Sequence, residues 1–150
     1  MKRILVTMLL CGFMPVAAYA GTCAAPTPIF SGQTINESTC GGEAGINMGG
    51  TIYGHPSQVY SFTANNAAGA FTLTGTDREM SVTTSCTSAP IASGAPGVPI
   101  NASVLVNGTS YLLIVSTDPS IPLANPPVCG AASTVLPNPL PVSLQKFSVE

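Results

Sequence analysis

Along Gln58–Ala64 the side chains alternate, with Tyr60, Phe62 and Ala64 on one face and Ser61 and Thr63 on the other. The alternation returns at Ala70–Gly75, where Phe71 and Leu73 face one way and Thr72 and Thr74 the other. It returns again at Glu79–Cys86, which places Met80 and Val82 together. A period of two belongs to a pleated strand with one buried and one wet face. No segment outside the first twenty residues carries an apolar stripe at helical spacing over three turns. Such a chain builds sheets.

Further strands are expected at Pro28–Phe30, Gly50–Tyr53, Pro99–Val106, Ser110–Ser116, Ala132–Leu136 and Val142–Val149. Ser110–Ser116 encloses Tyr-Leu-Leu-Ile-Val, apolar on both faces, and reads as a central buried strand. Asn107-Gly108, between two apolar runs, is the strongest hairpin signal. In Val142–Val149 the apolar phase slips between Leu144 and Phe147, which fits a bulge. Asn65–Gly69 has turn chemistry, and the rest of Gly21–Gly50, Thr87–Gly97 and Asp118–Val128 reads as loop. The expected fold is all-β: an antiparallel β-sandwich, or a jelly roll, of about eight short strands. It should occupy residues 21–136, followed by a Pro-rich segment and C-terminal strand at 137–150.

Residues 1–20 have the anatomy of a cleaved secretory signal peptide. Lys2 and Arg3 precede an apolar run from Ile4 to Ala18, and Ala18-Tyr19-Ala20 supplies the small-residue cleavage site. The run is short for a bilayer span, and no second hydrophobic run of ~20 residues follows. Cleavage after Ala20 leaves two cations, Arg78 and Lys146, against all six acids, a net charge of −4. Two cations cannot neutralise a run of phosphates, so nucleic acid and anionic membrane surfaces are not expected partners. With 45% hydrophobic residues the chain is not of disordered composition.

Cleavage also removes Cys11 and leaves Cys23, Cys40, Cys86 and Cys129. An even count in an exported chain reads as two disulfides. Three pairings can form. Loop-closure entropy favours the shorter loops, Cys23–Cys40 and Cys86–Cys129. With no Cys-x-x-Cys pair and one histidine, a structural zinc site is not expected, nor any other cofactor.

The stretch Gly50–Asp118 resembles the bacterial pre-peptidase C-terminal (PPC-like) domain, a small β-sandwich. The resembling residues are Gly50-Thr51-Ile52, Val59-Tyr60-Ser61-Phe62-Thr63, Gly69-Ala70-Phe71-Thr72-Leu73-Thr74 with Asp77, and Asn107-Gly108-Thr109-Ser110-Tyr111-Leu112-Leu113-Ile114-Val115. Gln58 and Val59 stand where the family usually carries an acid before Tyr-Ser-Phe, and the cysteines lie outside its general pattern. The resemblance implies an exported accessory or binding module standing alone, and it transfers no catalytic residue. The tail Pro139-Leu140-Pro141-Val142, with Leu144 and Phe147, resembles the Leu-Pro-Val linker near the C-termini of exported bacterial proteins. Asn36, Asn101 and Asn107 each begin an Asn-x-Ser/Thr acceptor pattern, read as chance in a chain of bacterial character.

Candidate chemistry is sparse. His55 is the only histidine, in Tyr53-Gly54-His55-Pro56, and is read as an exposed turn residue rather than a general base. Asp77 and Glu79 would share a strand face and are the only calcium candidates, although Arg78 between them favours a solvated corner. The chain has no Trp; Tyr60, Phe62, Phe71 and Tyr111 are expected in the core, leaving Tyr53 as the main exposed aromatic. The leading expectation is a non-catalytic binding or accessory module, secreted, periplasmic or at the cell surface. Its partner would be an extracellular protein or glycan, or another copy of itself. The alternative is a structural subunit of a surface fibre or adhesin that exchanges strands. A small hydrolase built on His55 is the third reading.

Overall fold

The computed structural model describes residues 21–64, 69–124 and 126–137. Residues 1–20, read above as a signal peptide, most of the turn at 65–69 and the strand expected at Val142–Val149 lie outside the described residues. The described chain forms eleven strands where about eight were expected. They are β1 (Thr27–Pro28), β2 (Thr34–Ser38), β3 (Ile46–Met48), β4 (Thr51–Tyr53), β5 (Gln58–Thr63) and β6 (Ala70–Thr74). The rest are β7 (Arg78–Thr83), β8 (Ala92–Gly94), β9 (Ile100–Asn101), β10 (Ser110–Thr117) and β11 (Ala131–Val135).

Five strands pair in the order β1-β5-β10-β7-β8 and four in the order β2-β11-β6-β9, while β3 and β4 form a separate ribbon. The two larger sheets enclose one core, as expected of a β-sandwich. Alternation decides which residues fill it: Tyr60 lies opposite Leu113, and Leu113 opposite Val82. Met80, Tyr111 and Val115 face the same way, meeting Ile35, Phe71, Leu73 and Ala132 from the other sheet. Phe62 and Phe71 cross between the sheets with ring centroids 5.4 Å apart, a tilted pair worth about 0.5–1.5 kcal/mol beyond area burial.

The other face of the five-stranded sheet is also covered. Val59 and Ile114 pair in the ladder and pack with Ile46, Met48 and Tyr53 of the β3–β4 ribbon. This is why Tyr-Leu-Leu-Ile-Val is apolar on both faces. β10 sits centrally, hydrogen-bonded to β5 and β7 and covered by a layer on each side.

Several local expectations are corrected. Strands β2, β3 and β8 lie where loops were read, because each is short and takes its pairing from a partner distant in sequence or from its neighbour across a turn. The Asn107-Gly108 turn does not close a hairpin: β9 pairs with β6 in one sheet and β10 lies in the other. After Asn101 the chain turns into a 3-10 helix at Ala102–Val104, with the Asn101 side chain accepting from the Ser103 amide. Tyr53 is buried, at 3% exposure, and Arg78 at 5% is no solvated corner.

The cysteine pairing is corrected as well. The bonds are Cys23–Cys86 and Cys40–Cys129, separated by 63 and 89 residues. Loop entropy separates the alternatives weakly, since each doubling of a loop costs only about 0.6 kcal/mol. Strand register decides instead. β2 and β11 pair from Thr34↔Val135 to Ser38↔Ala131, and Thr39 donates to the Gly130 carbonyl at 2.9 Å. One step further, the same antiparallel register sets Cys40 beside Cys129, their Cα atoms 4.9 Å apart.

Non-reduced peptide mapping is expected to recover Cys23–Cys86 and Cys40–Cys129. Replacing Cys40 and Cys129 by Ala should lower unfolding stability by about 2–5 kcal/mol in denaturant titration. A loss within measurement error would remove this bond from the stabilising framework.

Candidate binding face

Strand alternation gives the outer face of the β2-β11-β6-β9 sheet an unusual surface. The register stacks Thr72, Val135 and Thr34 in one row and Thr74, Ser133 and Asn36 in the next. Ala131 and Ser38 form a third row. Neighbouring strands lie about 4.8 Å apart and same-face residues about 6.7 Å along a strand, so the hydroxyl and amide groups form a grid. Asn36, Glu37, Thr74, Gly75, Ala131, Ala132 and Ser133 border a shallow depression of about 470 Å³. Thr74 donates from Oγ1 to the Ser133 carbonyl at 3.3 Å, tying two strands of the grid together.

No side chain of these rows is charged. The one acid on β2, Glu37, falls on the alternate face and pairs across the ladder with Ala132, a core residue. Both of its carboxylate oxygens are buried without a hydrogen-bond partner, as is Thr134 Oγ1 on the neighbouring strand. Burial therefore pushes the Glu37 carboxyl up to about 8. At neutral pH the group is mainly protonated, which is the form a dry site tolerates.

Arg78 also lies on a core-facing phase, shared with Met80 and Val82. Its Nη1 donates to Thr117 Oγ1 at 2.7 Å and to the Asp77 carbonyl at 3.2 Å, and Thr117 Oγ1 donates on to Val128 O at 2.9 Å. A Cβ at Gly130 would stand 2.6 Å from Nη2, so a larger residue there would displace the end of the guanidinium. The buried cation thus anchors the segment leading into β11. Nothing in composition marked Glu37 or Arg78 as buried; their phase relative to Ile35 and Met80 is the sequence signal that could have found them.

The calcium candidates separate. Asp77 is exposed and precedes β7 with a left-handed φ of 56°. Glu79 is already engaged, accepting from the Tyr53 hydroxyl at 2.9 Å. Ser81 lies 3.3 Å from the same hydroxyl and 2.8 Å from Ser93 Oγ. Burial pushes the Tyr53 phenol up to about 12, and the Glu79 carboxylate adds to the rise. Among the described residues no cluster of three or more His, Cys, Asp or Glu side chains is placed to hold a metal ion.

His55 is buried at 2% exposure, contrary to the exposed turn expected. The loop after β10 covers it. Its Nε2–H donates to the Ile121 carbonyl at 3.1 Å, and Nδ1 has no partner. Ser57 bonds to the His55 main-chain carbonyl and to Ser116 Oγ at 2.9 Å, so its hydroxyl is directed away from the imidazole.

Compared with protein-family models, with curated proteins and with solved structures, the chain gives no match. No helix among the described residues is long and apolar enough to cross a membrane. The two disulfides fit an oxidising compartment.

Two outcomes follow from the buried groups. A carboxyl raised from 4.5 to about 8 in the folded chain contributes stability fully present below pH 4.5 and lost as pH rises towards 8. Thermal unfolding across that window should show a decline of a few kcal/mol, and Glu37→Gln should flatten it. An unchanged pH profile in the variant would remove Glu37 as its cause. His55→Ala leaves a cavity and an unpaired carbonyl, and should cost about 2–4 kcal/mol by denaturant titration.

Proposed function

We propose that this is an exported, non-catalytic binding or accessory module whose ligand-contacting surface is the outer face of the β2-β11-β6-β9 sheet. One observation carries the reading: six short polar side chains, Thr34, Asn36, Ser38, Thr72, Thr74 and Ser133, lie in register on that face without a charge among them. Such side chains lose little rotamer freedom on binding, whereas a long flexible one costs about 0.5–1.5 kcal/mol to immobilise. Strands hold them rigidly, which favours geometric recognition over adaptation. An uncharged grid of donors and acceptors suits a glycan or a neutral polar protein surface. The PPC-like resemblance and the signal-peptide anatomy support the same reading from the sequence side.

A surface-fibre subunit is the second reading, favoured by an open sheet edge. Gln33 and Thr39 bond towards β11, accepting from Leu136 and donating to Gly130. The antiparallel rule then turns the main-chain groups of Thr34 and Asn36 away from β11, to the free side of β2. An added strand could pair there.

Glycan-array and surface-binding measurements on the mature chain test the first reading. Thr74→Lys with Ser133→Lys should weaken binding at least tenfold, since both groups sit at the centre of the grid and each Lys adds bulk and charge. The folded spectrum should be unchanged. Binding that survives the pair would place the ligand elsewhere. Recovery of the protein in sheared, high-mass surface material would favour the fibre subunit.

A further inference from the structure

Four strands end the two large sheets, and three of them are very short: β1 and β9 have two residues each and β8 has three. β2 has five. Brevity protects a sheet edge from further pairing, as do proline, lysine and a charge placed at the edge. β2 contains no proline or lysine, and its side chains Thr34, Asn36 and Ser38 are exposed and uncharged. Glu37, its one acid, has both carboxylate oxygens buried within the protomer, so it does not stand at the edge to repel a second strand.

Ladder phase decides which main-chain groups are open. Leu136 donates to the Gln33 carbonyl and Thr39 to the Gly130 carbonyl, so Ile35 and Glu37 share the direction of β11. Thr34, Asn36 and Ser38 point the other way. The Ser38 carbonyl already accepts from Gln58 Nε2 at 2.7 Å. Among the described residues nothing bonds to the main chain of Thr34 or Asn36 on this side. The open stretch is therefore these two residues, each with an N–H and a C=O, placed symmetrically about Ile35. An antiparallel copy of the same strand sets Thr34 opposite Asn36 of the partner subunit, and Asn36 opposite Thr34 of the partner subunit. Each such pair exchanges two N–H···O bonds, so every open group finds a partner and none is left over. The strand that matches this edge in phase, length and lack of charge is the same strand of a second copy.

We propose that the protein forms a two-fold dimer by antiparallel pairing of β2 with β2 of a second copy, centred on Ile35. The interface is isologous and occupies the β2 edge of both copies, so it closes at two. It takes the edge invoked for the fibre subunit and gives it a different outcome, a closed pair. The two four-stranded sheets become one continuous sheet. The row Thr72, Val135, Thr34 then runs on into Asn36, Ser133 and Thr74 of the partner subunit, a line of short side chains about 24 Å long. Such a line suits a long polymeric glycan better than a single sugar. That consequence rests on the binding-face reading; the pairing itself does not.

Sedimentation equilibrium and amide hydrogen exchange on the whole mature chain, residues 21–150, test the pairing. Between micromolar and millimolar concentration the mass should rise from one copy to two and stop there. Over that range exchange at the Thr34 and Asn36 amides should slow, while the Ile35 amide, directed to β11, keeps its rate. Thr34→Lys with Asn36→Lys opposes like charges at both pairs and should raise the dissociation constant about tenfold. Thr34→Lys with Asn36→Asp sets each introduced Lys opposite an introduced Asp and should restore the native constant. Both positions are exposed, and an unchanged circular dichroism spectrum reports that the fold persists. A chain that stays monomeric at millimolar concentration, or a double-Lys variant that dimerises like the native chain, overturns the dimer. The binding-face reading survives either result, because no ligand enters the measurement. A Lys–Asp variant as weak as the double-Lys variant overturns the pairing about Ile35. Growth past two copies overturns the closed pair and favours the fibre subunit.

Discussion

The coverage of β10 on both faces is the constraint on which the other parts depend. Leu113 and Val115 close the space between the two large sheets, while Ile114 packs beneath the β3–β4 ribbon. A strand buried this way has no phase left for polar side chains along its middle. It also requires a lid, and a two-stranded ribbon is marginal alone in water. The ribbon is held by its contacts: Gly49 donates to Thr87, Tyr53 reaches Glu79, and Cys23–Cys86 packs against the cluster beneath it. That disulfide fastens the segment before β1 to the end of β7, on the side of the sheet the ribbon covers.

With one outer face covered, the other large sheet carries the open one. Its face is uncharged because the few charges near it are turned inward or placed elsewhere. Glu37 lies on the core phase of β2, and Arg78 is spent on Thr117 and the main chain around β11. Burying both is costly unless each is neutralised or hydrogen-bonded. Protonation removes the charge of Glu37, and Arg78 keeps hydroxyl and carbonyl acceptors at Nη1, while the Glu37 oxygens and Arg78 Nε stay without partners. The consequence is a rigid polar face without long side chains, backed by a core end whose electrostatics depend on pH.

The aromatic and hydroxyl residues divide along the same lines. Tyr53 is drawn inward because the ribbon presents it to Glu79 and Ser81, so its hydroxyl finds partners in a buried site. Phe30 is left outside because β1 ends before it. Aromatic exposure thus follows from where strands stop, which a residue count does not reveal.

The alternation at Gln58–Ala64, Ala70–Gly75 and Glu79–Cys86, with the run at Ser110–Ser116 that is apolar on both faces, was enough to determine the all-β fold, the inward set Tyr60, Phe62, Phe71 and Tyr111, and the central place of Ser110–Ser116. These properties are local, written in the period of the chain and the branching of its side chains. Tertiary structure alone decided the rest: the Cys23–Cys86 and Cys40–Cys129 pairing, the burial of His55, Tyr53 and Arg78, and the open grid on the β2-β11-β6-β9 sheet. Cys40 meets Cys129, 89 residues on, through the ladder between β2 and β11, and His55 is covered by a loop more than sixty residues later. Such contacts depend on which strands become neighbours. Short-range propensity carries no information on that choice; it follows from closing one core with the fewest unsatisfied polar groups.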